Sequence, residues 1–205
     1  MLLANRLKKT FITAPLEPIA ATWNPEDSFE DYLFSSDNRT AYYGGFDSWG
    51  VVRANVGKTT GKWVFEVATT DVKMEVGLAN QNFSLDKYLG HSGRSMGYVK
   101  NIHYPNGGYY HSGFSIHTSE VPSPGGLIMF AVDMDAKKGW LRKDSTSWCG
   151  GGDPTNGTSP TFTWTFDDEL FPAAGGFDEV GESTINAGQE AFHNPKPTDF
   201  SPWAA

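Results

Sequence analysis

Apolar and polar residues alternate with a period of two along much of the chain, which is the pattern of half-buried β-strands. In residues 62–70, the side chains of Trp63, Phe65 and Val67 fall on one face of such a strand. The same period returns at residues 74–78, and a turn between the two segments would make them a hairpin with one strongly apolar face. The pattern therefore predicts that these two strands pair with each other.

The most apolar segment, residues 127–134, carries apolar side chains on both faces and is typical of a central strand covered on both sides. Residues 139–143 follow a short turn and are predicted to pair with it. No long amphipathic helix is visible, and roughly 11 short strands separated by turns indicate an all-β fold, an antiparallel β-sandwich. We expect one core to contain Phe65, Val67, Val76, Phe130 and Val132.

Two regions depart from this regular pattern. Residues 80–125 are rich in Gly, Ser, Asn, His and Tyr, with short strand-like pieces at 96–99 and 108–112. Loops between strands commonly carry the contacts of a sandwich, so the 80–118 and 144–160 loops are expected to face outward.

The N-terminal segment also differs from the rest of the chain. Pro15 and Pro18 interrupt regular strand pairing, because proline cannot donate a backbone hydrogen bond. We therefore divide the chain into an N-terminal arm, residues 1–22, and a sandwich domain, residues 23–205. Arms of this kind commonly fix themselves to a neighbouring protein, and we expect this one to do so.

Charge and cysteine content narrow the classes of function. The net charge of −8 gives an acidic surface that repels phosphates, so no nucleic-acid partner is expected. No segment approaches the roughly 20 apolar residues of a membrane span, so none is expected. The single cysteine, Cys149, cannot form an intramolecular disulfide, and the fold is not expected to need an oxidising compartment.

Several segments, taken in order, resemble the SPRY domain, which has a concanavalin A-like sandwich fold. The matching segments are residues 61–67 (GKWVFEV), 76–79 (VGLA), 126–133 followed by 139–141 (GWL), 170–174 (LFPAA), 186–192 (NAGQEAF) and 197–200 (PTDF). Residues 21–25 (ATWNP) look like the start of SPRY-like proteins encoded by tailed bacteriophages. The resemblance implies a non-enzymatic structural and recognition module of a virion, made in the host cytoplasm. A tail-fibre, receptor-binding or capsid-decorating component would fit.

Candidate catalytic and metal-binding groups are few. Glycoside hydrolases need two carboxylates across a cleft, and Glu66 and Glu75, on strands predicted to be neighbours, could approach each other. A glycan-active enzyme is therefore the alternative function, although an isolated glutamate in a polar network is the simpler interpretation of each. Asp133 and Asp135 are interpreted as turn residues, because lysines stand where a calcium loop needs oxygen ligands. We expect no cofactor and no metal.

Recognition is predicted to reside in aromatic and histidine side chains, since they offer rigid contact area with a polar handle. The candidates are Tyr98, His103, Tyr104, Tyr109, Tyr110, His111 and Trp148. The simpler alternative is that about half of them pack beneath the loops. The expected partners are other virion proteins, bound through the arm, and a host cell-surface glycan or protein. An intracellular adaptor that binds a partner peptide is a third possible function.

Overall fold

A computed structural model describes residues 19–45, 47–70, 74–99, 108–118, 126–144, 147–177 and 181–204. Within these ranges the chain forms fifteen β-strands and one short 3-10 turn, Cys149–Gly151. The strands are β1 (Trp23–Ser28), β2 (Tyr32–Phe34), β3 (Thr40–Tyr43), β4 (Trp49–Ala54), β5 (Lys62–Thr69), β6 (Glu75–Asn80), β7 (Ser95–Val99), β8 (Gly108–Ser112), β9 (Phe114–Ile116), β10 (Gly126–Asp133), β11 (Lys138–Lys143), β12 (Phe162–Trp164), β13 (Leu170–Phe177), β14 (Gly181–Asn186) and β15 (Ser201–Pro202). In this part of the chain no helix is long and apolar enough to cross a membrane.

The strands form two sheets that pack face to face. One sheet has six strands in the order β1-β4-β13-β6-β7-β8, and the other has nine. The order of the second is β2-β3-β14-β5-β10-β11-β12-β9, and β15 runs parallel to β5 beside it. The remaining described pairs are antiparallel, so the predicted all-β antiparallel sandwich is confirmed.

The core lies between the two sheets and contains all five residues predicted for it. The ring of Phe65 stacks on Phe130 with centroids 4.8 Å apart, and the indole of Trp203 meets Phe65 edge-on at 5.3 Å. The central position predicted for β10 is confirmed as well. Its Phe130 side chain points into this core, whereas Met129 and Ala131 join a second apolar cluster on the outer face of the nine-stranded sheet.

The predicted pairing of residues 62–70 with residues 74–78 is wrong. Strand β5 pairs with β10 and β14 in the nine-stranded sheet, whereas β6 pairs with β13 and β7 in the six-stranded sheet. The connection between them therefore crosses from one sheet to the other. Both strands are buried on both faces, and a period of two identifies strands without identifying their partners.

The region 80–125 contains more regular structure than its composition indicates. The short strands expected near 96–99 and 108–112 are present as β7 and β8, which pair with each other and extend the six-stranded sheet. The segment 81–94 does not project outward. It lies against the outer face of that sheet, where Phe83 and Leu89 are buried with Val51.

The predicted arm lies mostly outside the described residues, which begin at Ile19. Its last residues are packed into the sandwich: Ala20 bridges Ala204, and Ala21 is fully buried. The backbone N–H of Ala21 donates to the carbonyl of Trp203 at 3.0 Å. Ala20 and Ala21 therefore pack against the sandwich domain, whereas the predicted division into arm and domain falls mostly on residues outside the described ones.

Candidate functional site

Three aromatic rings form a partly exposed cluster on the outer side of the six-stranded sheet. The indole of Trp49 lies 4.4 Å from the ring of Phe177 and 5.2 Å from the ring of Tyr88. His91 meets Tyr88 edge-on at 5.0 Å. Trp49, Tyr88 and Phe177 are each half-buried, so part of each ring faces solvent. We call these three residues the aromatic patch.

Strand register places the patch at one end of the sandwich. Trp49 is the first residue of β4 and is paired with Phe177, the last residue of β13. The chain then passes from β13 in this sheet to β14 in the other. The patch therefore lies at the end of the sandwich where the chain connects the two sheets.

The segment 81–94 brings Tyr88 to the patch, and backbone hydrogen bonds hold that segment in place. The N–H of Val51 in β4 donates to the carbonyl of Leu85 at 2.9 Å, and the N–H of His91 donates to the carbonyl of Tyr88 at 3.1 Å. Such contacts fix a binding side chain before a partner arrives, which lowers the entropy cost of association.

A buried arginine holds the start of the same segment. Arg53, 5% exposed, donates to both carboxylate oxygens of Asp27 at 2.6 and 2.7 Å. Its Nη1 also donates to the carbonyls of Asn80 and Phe83, at 2.8 and 3.1 Å. A bidentate pair of this type combines charge with fixed geometry, so the loop begins from a rigid point.

Glu75 lies beneath the end of this segment and is fully buried. Its Oε2 accepts the backbone N–H of Leu89 at 2.7 Å, whereas Oε1 is buried and has no hydrogen-bond partner. Burial raises the pKa of Glu75 to about 8, because removal from water penalises the charged form; the Leu89 N–H opposes this only in part. At neutral pH the side chain is therefore mainly a neutral acid.

A groove of about 410 Å³ lies on the opposite side of the molecule, on the outer face of the nine-stranded sheet. Its floor includes Ala68, Leu127 and Thr184, and the ion pair between Arg39 and Glu190, 2.7 Å long, lies along it. This volume falls within the range of small-molecule sites. The lining mixes donors, acceptors and small apolar groups without an aromatic platform.

Glu66 closes one side of this groove and has a structural role. The carboxylate is 1% exposed and accepts backbone N–H groups from His193 at 3.0 Å and Asn194 at 3.4 Å. The amide of Asn186 also donates to it, at 3.4 Å. The side chain thereby attaches the segment after β14 to the face of the sheet.

The approach of Glu66 to Glu75 that the sequence allowed does not occur. Their strands belong to different sheets, and each side chain lies on the outer face of its own sheet, with the core between them. These two residues therefore do not provide the carboxylate pair that glycoside hydrolysis needs.

The turn interpretation of Asp133 agrees with the structure, since its Oδ1 accepts the N–H of Ala136 at 2.8 Å. Among the described residues, no group of three or more His, Cys, Asp or Glu side chains could hold a metal ion.

Of the contact residues predicted in the 98–111 region, the described ones lie at the β7–β8 edge. Tyr98 is only 3% exposed and packs in the core, so its ring does not form part of a contact surface. Tyr109 is half-buried with its ring 5.7 Å from Tyr98, and His111 is exposed. Tyr110 is paired with Gly97 in the β7–β8 ladder.

The remaining predicted contacts have different placements. His103 and Tyr104 lie outside the described residues, as does the side chain of Tyr110. Trp148 is half-buried on the outer face of the nine-stranded sheet, where the guanidinium of Arg142 covers its ring at 4.5 Å. The structure therefore does not bring Trp148 together with the tyrosines.

Sequence reasoning missed the aromatic patch. Trp49, Tyr88 and Phe177 are separated by 39 and 89 positions and meet only through the pairing of β4 with β13 and the return of the 81–94 segment. The one available signal was that Trp49 and Phe177 each stand at the end of an apolar strand. Nothing in the alternation pattern shows that those two ends are neighbours.

Comparison with known proteins supports the fold. No family model and no curated protein matches the sequence significantly. Solved structures do match. The TRIM65 PSpry domain has a TM-score of 0.59 at 13% identity, over 82% of this chain and 92% of that one. The SPRY domain of human HERC1 gives 0.55 at 17% identity, over 82% and 99%, and a human SPRY domain gives 0.56 at 20% identity, over 79% and 98%. The chain therefore has the fold of a SPRY domain.

Proposed function

We propose that this chain is a protein-recognition module that binds its partner through the aromatic patch. The main supporting observation is that the rings of Trp49, Tyr88 and Phe177 are partly exposed at one end of the sandwich. Backbone hydrogen bonds of the 81–94 segment hold Tyr88 in this cluster. Aromatic side chains dominate the energetics of protein interfaces when a rigid surround excludes water from them. The likeness to SPRY domains, which are modules within larger proteins such as HERC1, supports the proposal at the level of the fold.

The chemistry of the patch defines the kind of partner. Two rings carry a polar group, the indole N–H of Trp49 and the hydroxyl of Tyr88, so stacking and hydrogen bonding act together. The net charge of −8 disfavours attraction to anionic surfaces such as phosphate-rich glycolipids. The partner is therefore a peptide segment with an apolar or aromatic side chain that fits against Trp49, and its binding depends weakly on salt.

Replacing Trp49 with alanine is expected to weaken peptide binding at least tenfold, because truncating a central interface aromatic typically costs 2 kcal/mol or more, about 30-fold in affinity. The probes are peptides selected from a displayed random library on the immobilised full chain, and the measurement is titration calorimetry beside a thermal melt. Tyr88→Ala provides a second variant in case Trp49→Ala lowers the melting temperature.

The matched control is Trp148→Ala, which removes another half-buried tryptophan, on the outer face of the other sheet. It should leave the affinity unchanged. Binding that survives in both folded patch variants but is lost in Trp148→Ala would place the contact surface at the loop predicted from the sequence and refute the proposal.

We further propose that the module belongs to a bacteriophage virion and is incorporated through the N-terminal arm. The support is the resemblance of residues 21–25 to the start of phage-encoded SPRY-like proteins, together with Pro15 and Pro18 before it, which cannot donate backbone hydrogen bonds to a sheet. The side of the sandwich that carries the patch would then be free to contact a host-surface protein.

Deletion of residues 1–18 is expected to leave a cooperative melt and to prevent incorporation into particles. The deletion retains Ala20 and Ala21, whose contacts with residues 203–204 belong to the sandwich. Mass spectrometry of purified particles from cells that express the full or the shortened chain measures incorporation. Equal incorporation of both chains, or absence of the full chain from every particle, would refute the virion role.

A further inference from the structure

We propose that Glu75 is a positioning residue for the aromatic patch: its neutral carboxyl group holds the Leu89 end of the 81–94 segment, and loss of its proton releases Tyr88 from Trp49. This inference rests on the proposed function, because it describes how the same surface is regulated. It predicts a recognition surface that is formed at neutral pH and is lost in alkaline solution.

Glu75 and the aromatic patch lie on the same outer face of the six-stranded sheet. Glu75 is paired with Gly175 in β13, and Phe177 of the patch follows two residues later on the same face of that strand. A Cβ atom at Gly175 would lie 2.8 Å from Oε2 of Glu75, so the glycine is what allows the carboxyl group to lie flat against the sheet. The carboxyl group therefore lies against β13 two residues before Phe177, on the face of the sheet that carries the patch.

A hydrogen bond attaches Glu75 to the segment that carries Tyr88. Oε2 of Glu75 accepts the N–H of Leu89 at 2.7 Å, and Leu89 is the neighbour of Tyr88 along the chain. The Leu89 side chain is fully buried against Val51 and Ala173, so this hydrogen bond lies in a closed apolar layer. Any movement of Leu89 moves Tyr88 as well, and Tyr88 supplies one side of the patch.

The second carboxyl oxygen of Glu75 has no hydrogen-bond partner. Oε1 is buried without a partner, so an ionised Glu75 would hold a full charge with a single N–H to stabilise it. An uncompensated buried charge is costly, and the inexpensive way to relieve it is to admit water. The 81–94 segment is the cover that can move, because it belongs to neither sheet, whereas β6 and its partner β13 lie inside the six-stranded sheet.

Among the described residues, no uncommitted cation faces Glu75 to compensate that charge. Tyr32, from the nine-stranded sheet, donates its hydroxyl hydrogen to the carbonyls of Gly50 and Ala174. A tyrosine side chain carries no positive charge, so it cannot compensate an ionised Glu75. On the same face, Arg53 is engaged by Asp27 and by two loop carbonyls. Tyr88 and the exposed His91 are titratable groups beside Leu89 in the covering 81–94 segment.

The effect on binding follows from the fraction of molecules that keep the patch intact. If only the neutral form binds, the apparent dissociation constant rises in inverse proportion to the neutral fraction. With the pKa of Glu75 at about 8, binding should be about tenfold weaker at about pH 9 than at about pH 7. Replacing Glu75 with glutamine should remove this dependence, since the amide oxygen can still accept the Leu89 N–H and the group cannot ionise.

The test follows the environment of Trp49 by fluorine NMR in the absence of any bound peptide. The full chain is labelled with 5-fluorotryptophan, and the fluorine resonance of Trp49 is assigned by its absence in Trp49→Phe and followed from about pH 6 to about pH 10. We expect the Trp49 resonance to move with a midpoint near pH 8, while the tryptophans of the core, such as Trp203, stay in place.

Three variants separate Glu75 from other causes. In Glu75→Gln the Trp49 resonance should not titrate. The Trp49 resonance should titrate as in the unaltered chain in two control variants. Glu66→Gln alters a buried carboxylate on the opposite outer face, and His91→Gln removes the imidazole beside Tyr88. Any of three results would overturn the inference: the Trp49 resonance does not move in the unaltered chain, it still moves in Glu75→Gln, or it moves only together with the resonances of every other tryptophan.

The same variants, used with the selected peptides, separate this inference from the proposed function. In one outcome, the titration of the Trp49 resonance depends on Glu75, but the peptides bind the Trp49→Ala variant as tightly as the unaltered chain. This result would support the positioning role and refute the proposed contact surface. Peptide binding that depends on Trp49 but is equally strong in the unaltered chain at about pH 7 and about pH 9 would support the contact surface and overturn the positioning role.

Discussion

Replacement of Phe65 by alanine is expected to lower the free energy of unfolding by about 3–5 kcal/mol, the usual cost of truncating a fully buried phenylalanine. The ring stacks on Phe130 at 4.8 Å with an angle of only 4° between the planes, and Trp203 closes over its edge. Its loss would leave a cavity in the layer between the two sheets, which rigid strands on both sides cannot close. Urea denaturation followed by fluorescence gives the change directly.

Two further variants provide the scale for that measurement. Phe65→Leu keeps most of the buried apolar volume and should cost clearly less than the alanine variant. Leu33→Ala, at a side chain that is 73% exposed on the edge strand β2, should change the stability by no more than about 0.5 kcal/mol. If Phe65→Ala behaved like Leu33→Ala, the assignment of this face to the core would be incorrect.

The stability of the protein is expected to fall as the pH rises from about 4.5 to about 8, and Glu75 is the cause. Burial raises the pKa of Glu75 from 4.5 to about 8, so between these values the folded chain keeps a proton that the unfolded chain has lost. Stability then decreases with each unit of pH, by at most about 1.4 kcal/mol, and becomes level above pH 8. The upper limit of the total loss is about 5 kcal/mol, and any entry of water at the site reduces it.

Glu75→Gln should remove most of this slope and make the protein more stable than the unaltered chain at about pH 9. Denaturant midpoints measured across this pH range provide the comparison. Glu30→Gln removes an exposed carboxylate and should leave the slope unchanged. A slope that is the same in the unaltered chain and in Glu75→Gln would mean that another group binds the proton.

The parts of the fold that follow from the sequence are those fixed by local pattern. The pairing of β10 with β11 was predictable, because a short turn at residues 134–137 leaves two apolar strands little choice of partner. The assignment of Phe65 and Val67 to one face was predictable for a similar reason, since side chains alternate along any strand.

Pairing across long separations was not predictable from the same pattern. Strands β5 and β6 are also close in sequence, yet their connection crosses between the sheets, and each strand pairs with segments far along the chain. The alternation of β5 would be the same beside either neighbour. Strand β15, only two residues long, has too few positions to show any period.

The candidate site depends on those distant pairings, which is why it escaped the sequence. Tyr98 was selected because tyrosines crowd the region from 98 to 110, but its position opposite Tyr109 on the inner face of the six-stranded sheet buries it. Trp49 stands in an ordinary apolar strand and becomes part of a surface cluster only because Phe177 is its partner in β13. Composition shows which rings are present, whereas register decides which of them face solvent.

The proposed contact surface is tested most directly by mapping where a selected peptide binds, through the changes it causes in the backbone amide resonances of the labelled full chain. We expect the largest changes to centre on Trp49, Tyr88 and Phe177 and to extend to Leu89, the neighbour of Tyr88 along the chain. Changes centred instead on the groove floor at Ala68 and Thr184, or on the edge strand at His111, with the patch unaffected, would contradict it.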